Sequence, residues 1–142
     1  LQEYPWLAEL LQFEWLELYL DTVEIEEKTF SQTSAWQLNT HIWILVYQYP
    51  VYLWTMEHQD FEYSPSAVMV WRNHHDQVCV ETLFPLFACL IEQLNQKALT
   101  KLELKQLIDT TLPDLSAPEV EQQLKLLSER LTELDLLYIP EQ

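Results

Sequence analysis

The side chains of this chain that could do chemistry are four histidines, two cysteines, a row of lysines and many carboxylates. His41, His58, His74 and His75 would suit a metal centre if three or four of them converged. Their spacing works against it. Adjacent His74 and His75 project to opposite sides of an extended chain, and neither His41 nor His58 has a ligand at i+3 or i+4. Turn and surface histidines are therefore expected, with no metal and no cofactor. Cys79 and Cys89 make no disulfide framework. They read as free, apolar-facing thiols in a reducing compartment, which points to the cytoplasm. No Ser/His/Asp or Cys/His grouping supports a nucleophile. Glycine is absent altogether. Phosphate-cradling loops, dinucleotide fingerprints and nucleophile elbows need glycine for close backbone approach or positive φ, so those enzyme classes are excluded. A non-enzymatic protein is the expectation.

Charge narrows the partners. The formal net charge is −16, and only Lys28 and Arg72 are basic before Lys97. Such a surface repels phosphate backbones, whose binding relies on Lys and Arg displacing counterions, and it disfavours anionic membranes. A neutral or basic protein partner is the better expectation. The aromatic run of Trp36, Trp43, Tyr47, Tyr49, Tyr52 and Trp54 could stack bases, but stacking sites sit in basic grooves and this stretch has neither Lys nor Arg. Core packing or a protein-facing surface fits it better. Lys97, Lys101 and Lys105 follow at four-residue spacing. They read as a docking stripe for an acidic partner segment or as a solvated helix face.

The elements that must position these groups follow from periodicity. At 142 residues the chain is about one domain long, with 49% apolar residues for a core. No apolar run is long enough for a membrane span. The chain starts with Leu, which suggests a fragment or a processed chain, and nothing resembles a signal peptide. YPWLAELLQFEWLELYL predicts a helix with Pro5 in its first turn. Leu7, Leu10, Leu11 and Leu18 form an apolar side, and Glu14, Glu17 and Asp21 another face. Tyr4, Trp6, Phe13 and Trp15 widen the apolar surface, so the helix either packs on two sides or leaves a face for a partner or a missing domain. An acidic connection follows, with a short strand over Thr22 to Glu26. Leu38 to Tyr47 reads as strand-like or a short helical entry, Pro50 as a break and Val51 to Trp54 as a strand.

The second half is better punctuated. Ser66 to Arg72 and Gln77 to Leu83 alternate as the strands of a hairpin, and the glycine-free turn Asn73 to Asp76 calls for a four- or five-residue loop. Three helices come next. Thr82 can cap the first, which carries Leu83, Leu86, Phe87, Leu90, Ile91 and Leu94. Thr100 to Glu103 and Ser116 to Glu119 are capping boxes for the other two. The last helix carries Glu119, Glu121, Glu129 and Glu133 against Lys125 and Arg130, which opposes entry into a DNA groove.

At this point the residues resemble a known family. YPWLAELLQFEWLELYL resembles the P-x-L-x-E-L-A-x-x-E-W helix of the HvfC/BufC family, bacterial proteins once labelled DNA-binding and now linked to peptide modification. QLNTHIWILVYQYPVYLW is similar to that family's Asn-containing segment leading to Tyr-Pro-Val, here Tyr49, Pro50 and Val51. PSAVMVWRNHHDQVCVETL is similar to its hairpin, with Arg72 in the Arg position. Tyr52 stands where a His commonly follows Pro-Val, so no role carries over there. The resemblance covers nearly the whole chain, although the helical domain that opens full-length members is not seen. It implies a non-catalytic partner of a multinuclear non-haem iron oxidative enzyme. Together the two would modify Cys-containing residues of a ribosomally made precursor peptide, with a precursor segment added to a sheet edge beside a helix.

The sequence therefore predicts an α+β fold. Residues 1–36 supply an N-terminal helix and acidic connection; residues 37–142 supply a small antiparallel sheet and a winged-helix-like part of three helices. The expected function is peptide binding and presentation to the modifying enzyme. The candidate contacts are the hairpin strand Ala67, Val68, Met69, Val70 and Trp71 with the last helix as a groove, and Arg72, Lys97, Lys101 and Lys105 as polar groups. A winged-helix transcriptional regulator reading DNA is the alternative, and an enzyme in its own right a third reading.

Overall fold

A computed structural model describes residues 4–24 and 35–139. The fold is α+β: four helices and two small antiparallel sheets among the described residues, beginning with an N-terminal helix. These residues form two compact units. The first takes residues 4–24 and 42–88; the second takes residues 35–41 and 89–139.

The first unit is a helix on a sheet. Helix α1 (Leu7–Thr22) packs on strands β3 (Ser66–Arg72) and β4 (Val78–Leu83) of a sheet ordered β2-β3-β4, with β2 at Trp43–Tyr47. Both pairings are antiparallel, with Trp43 opposite Val70 and Arg72 opposite Val78. Phe13, Leu16 and Leu20 of α1 close over Tyr47, Val51, Val68 and Val70 as a core. Apolar residues lie all round α1, so periodicity alone did not select its buried side. The expected face is corrected: Leu11 and Leu18 are 57% and 65% exposed, and Trp15 is 62% exposed, stacked on Tyr19. The stripe at 13, 16 and 20 meets the sheet instead.

Three further expectations change. Thr22 ends α1, its hydroxyl donating to the Leu18 carbonyl, so no strand starts there; residues 25 and 26 lie outside the described residues. Val51–Leu53 is a 3-10 turn, not a strand. Pro50 has no N–H to give a ladder, and its carbonyl accepts from Leu53 while Val51 donates to the Tyr49 carbonyl. Thr82 does not cap a helix. It lies in β4 opposite Val68, and α2 (Pro85–Gln96) starts at proline, with its first bond from Ala88 N–H to the Phe84 carbonyl.

The hairpin loop turns without glycine. The Asn73 side-chain oxygen accepts from the amides of His75 and Gln77, and Asp76 takes the left-handed conformation at φ 59°. Asp135, at φ 58°, does the same service after the last helix.

In the second unit, α3 (Lys101–Thr111) and α4 (Ala117–Glu133) pack together. Leu104 and Ile108 of α3 are buried, as are Val120, Leu124, Leu127 and Leu131 of α4 and Leu90, Ile91 and Leu94 of α2. Both capping boxes form. Thr100 accepts from Glu103 N–H while the Glu103 carboxylate accepts from Thr100 N–H, and Ser116 and Glu119 repeat the pattern. The apolar tail beyond α4 becomes β5 (Leu137–Tyr138), paired with β1 (Gln37–Leu38). Trp36 and Leu99 exchange backbone hydrogen bonds beside it. Replacing Thr100 or Ser116 by alanine is expected to cost about 1 kcal/mol each in urea unfolding; an unchanged midpoint would show the boxes to be dispensable.

Candidate functional site

The strand expected to meet a peptide is the centre of its sheet. β3 pairs with β2 on one side and β4 on the other, so Ala67 to Trp71 present no free backbone edge. Their side chains are no more available: Val68 and Val70 lie in the core under α1, and Met69 and Trp71, on the opposite face, are 2% and 3% exposed. This corrects the expectation of a groove lined by that strand. Among the described residues the edges of the sheet are β2 and β4, and a segment joining it must pair with one of them.

Arg72 faces inward as well. Its guanidinium donates to the Leu20 carbonyl at 2.8 Å and to the Val23 carbonyl, with Nε 3.8 Å from the Asp76 carboxylate. Cationic donors satisfy the orphan carbonyls at a helix C-terminus and oppose its partial negative charge. Arg72 thus ties the end of α1 to the end of β3. At the other end Glu9 accepts the amides of Gln48 at 2.8 and 3.0 Å and of Tyr49 at 3.0 Å. Sequence reasoning missed this clamp; the signal was the backbone break that Pro50 imposes just after those two amides.

The lysine stripe belongs to the second unit and to α4. Lys101 Nζ lies 2.9 Å from one oxygen of Glu121, and Lys105 pairs with the other. Both lysines therefore already bridge α3 to α4, and they hold the Glu121 carboxyl below the usual carboxylate range by hydrogen bonding. Lys97 is exposed just beyond α2. The two sets of candidate contacts fall in different units. Cys79 and Cys89 are free, but Cys89 is exposed rather than apolar-facing, because the inward positions of α2 are Leu90, Ile91 and Leu94. Burial pushes the Cys79 thiol up, partly offset by the Asn73 amide at 3.4 Å. Among the described residues, no three His, Cys, Asp or Glu side chains gather to hold a metal ion.

A concavity does form in the first unit, between α1 and the 3-10 turn. A cavity of about 320 Å³ is lined by Phe13, Glu14, Glu17, Val51, Tyr52 and Trp54, among others. From Glu14 and Glu17 a shallower groove continues past Asp21 to Val78, the first residue of β4. Partial desolvation raises the carboxyl of the exposed Glu17 above its ordinary range, and repulsion from Glu14 and Asp21 adds to the shift. Tyr47, fully buried, edge-on to Phe13 and stacked with Tyr52, has a hydroxyl with no hydrogen-bond partner among the described residues. Its pKa is raised to about 12, first by burial and then by the charges of Glu9 and Glu17. The loop beyond is held by Trp54 Nε1 donating to the Asp60 carbonyl, and by Phe61 packing on Trp54 and Trp6. The acids at 14, 17 and 21 were visible in the sequence as a solvated face; their meeting with Tyr52 and Trp54 was not.

Two outcomes follow. Arg72→Ala should cost about 2 kcal/mol in chemical denaturation, as expected for lost charge-assisted bonds to partly buried carbonyls; a pure ligand contact would leave stability unchanged. Glu17 supports the fold when protonated, and that support is lost as pH rises through its raised value. Glu17→Gln should therefore raise the melting temperature at pH 7, with the gain vanishing as pH falls below the ordinary carboxylate range. A gain equal at both pH values would contradict this account.

Residues 39–134 match the family described as the HvfC C-terminal domain. No curated protein matches the chain. The match covers more than half of the 142 residues and spans β2, the hairpin and the three helices that follow. It agrees with the resemblance carried by the Tyr49-Pro50-Val51 segment and the Arg72 hairpin, and the chain belongs to the HvfC family through its C-terminal domain.

Proposed function

We propose that this protein is a non-catalytic partner that binds a ribosomally made precursor peptide and presents it to a multinuclear iron-dependent oxidative enzyme. Membership of the HvfC family supports the reading. The observation that carries it is the position of β4: among the described residues an edge strand of a three-stranded sheet, next to α1 and opening at Val78 onto the acidic groove. A peptide added there would gain main-chain hydrogen bonds from the strand and side-chain discrimination from the helix. β2 is the less suitable edge, since Glu9 already occupies the amides of Gln48 and Tyr49 at its end.

DNA reading is the weaker alternative. The first unit has Arg72 as its one basic side chain among the described residues, and that guanidinium is bonded to α1. In the second unit Lys101 and Lys105 are paired with Glu121. Little cationic charge remains for phosphates.

Hydrogen exchange with short peptides encoded beside the gene tests the proposal. A cognate peptide should slow the amides of Val78–Leu83 and leave β3, already paired on both sides, unchanged. Binding without protection of β4 would overturn the docking mode, and a tight sequence-selective gel shift with genomic DNA would overturn the function.

A further inference from the structure

We propose that the outer face of α1 is a docking seam for an amphipathic helix of a partner protein, one whose apolar stripe is flanked by lysine or arginine. The proposal goes beyond peptide presentation and does not depend on what binds at β4.

The seam follows a coiled-coil pattern. Leu11, Trp15 and Leu18 recur at intervals of four and three residues, and Ala8 and Thr22 continue the spacing at either end. Apolar residues at that period form the narrow a/d seam through which one helix grips another. The seam lies opposite the stripe of Phe13, Leu16 and Leu20 that α1 lays on the sheet. It stays in solvent: Leu11, Trp15 and Leu18 are 57%, 62% and 65% exposed. A surface helix needs one apolar stripe, and α1 carries two. A contiguous exposed stripe of this kind marks a contact site.

Trp15 is already ordered. Its indole stacks on Tyr19 with ring centres 5.3 Å apart, and Tyr19 packs edge-on against Trp43 of β2. An exposed tryptophan held in place loses little freedom on contact, which suits it to anchor an interface.

Charge selects the occupant. With Trp15 at an a position, the g positions bordering the seam are Glu14 and Asp21, both exposed, and the e positions are Gln12 and Tyr19. In helix pairs the e and g side chains set the choice of partner. No Lys, Arg or His lies on α1. A second copy would therefore bring no cation of this helix to Glu14 and Asp21, in a chain of net charge −16. A partner helix with lysine or arginine beside its own apolar stripe satisfies both the seam and its border. The same acids oppose an anionic lipid surface.

The probes are two designed helices of three heptads, both with leucine at a and d, one with lysine and the other with glutamate at e and g. Each is titrated into the whole chain by calorimetry at physiological salt, where non-specific charge attraction is screened. The lysine helix should bind about tenfold more tightly than the glutamate helix and shift the Trp15 indole N–H resonance. Leu11→Ser/Leu18→Ser, at exposed positions outside the core, should weaken it about tenfold. Glu14→Lys/Asp21→Lys should transfer the preference to the glutamate helix, whereas Asp109→Lys/Glu129→Lys, an equal charge change in the second unit, should not. Equal binding of the two helices, full affinity in the serine pair or the same reversal in the control pair would overturn the seam. So would a dimer in sedimentation that the serine pair dissolves, since the face would then belong to a second copy.

Discussion

Arg72 donates to the carbonyls of Leu20 and Val23 at the end of α1, and Glu9, near the helix's start, accepts the amides of Gln48 and Tyr49. These two charge-assisted clamps fix where α1 lies on the sheet. Each answers a constraint of the backbone. A helix C-terminus leaves carbonyls unsatisfied, and a strand that ends at a proline leaves amides that no ladder takes up. The aromatic core of Phe13, Tyr47 and Val51 supplies the burial between the clamps, but burial is non-directional and would tolerate a helix shifted along the sheet. With the clamps in place, Glu14, Glu17 and Asp21 face the groove that runs to β4.

The acidity of the first unit has a cost. Glu17 carries a raised pKa because burial and two neighbouring carboxylates disfavour its charge. A protein that needed only a stable helix would gain from a neutral residue there. The second unit shows the contrast. There three carboxylates are answered within the fold: Glu121 by two lysines, and Glu103 and Glu119 by the helix-start amides and hydroxyls they cap. Hydrogen bonds hold Glu103 and Glu119 below the usual range, so their support is present at neutral pH and lost as pH falls through the lowered values.

The helices of the second unit were legible because local rules agree there. Thr100 to Glu103 and Ser116 to Glu119 announce both helix starts, and the leucine spacing of α4 names its buried side before any tertiary contact is considered. The hairpin strands were legible for a similar reason, since alternation over Ser66–Arg72 and Val78–Leu83 is local.

Tertiary structure decided what depends on partners distant in sequence. Periodicity could not choose a face for α1, because leucines and aromatics surround it; only the sheet selected Phe13, Leu16 and Leu20 and left Leu11, Trp15 and Leu18 outside. Nor could alternation reveal that β3 is the central strand, since strand order is set by which segments pair across the fold. The same long-range pairing turned Arg72 from a candidate ligand contact into a helix clamp and brought Glu14 and Glu17 beside Tyr52 and Trp54. Local pattern names the elements of this protein. The strand order and the cavity beside α1 arise only where those elements meet.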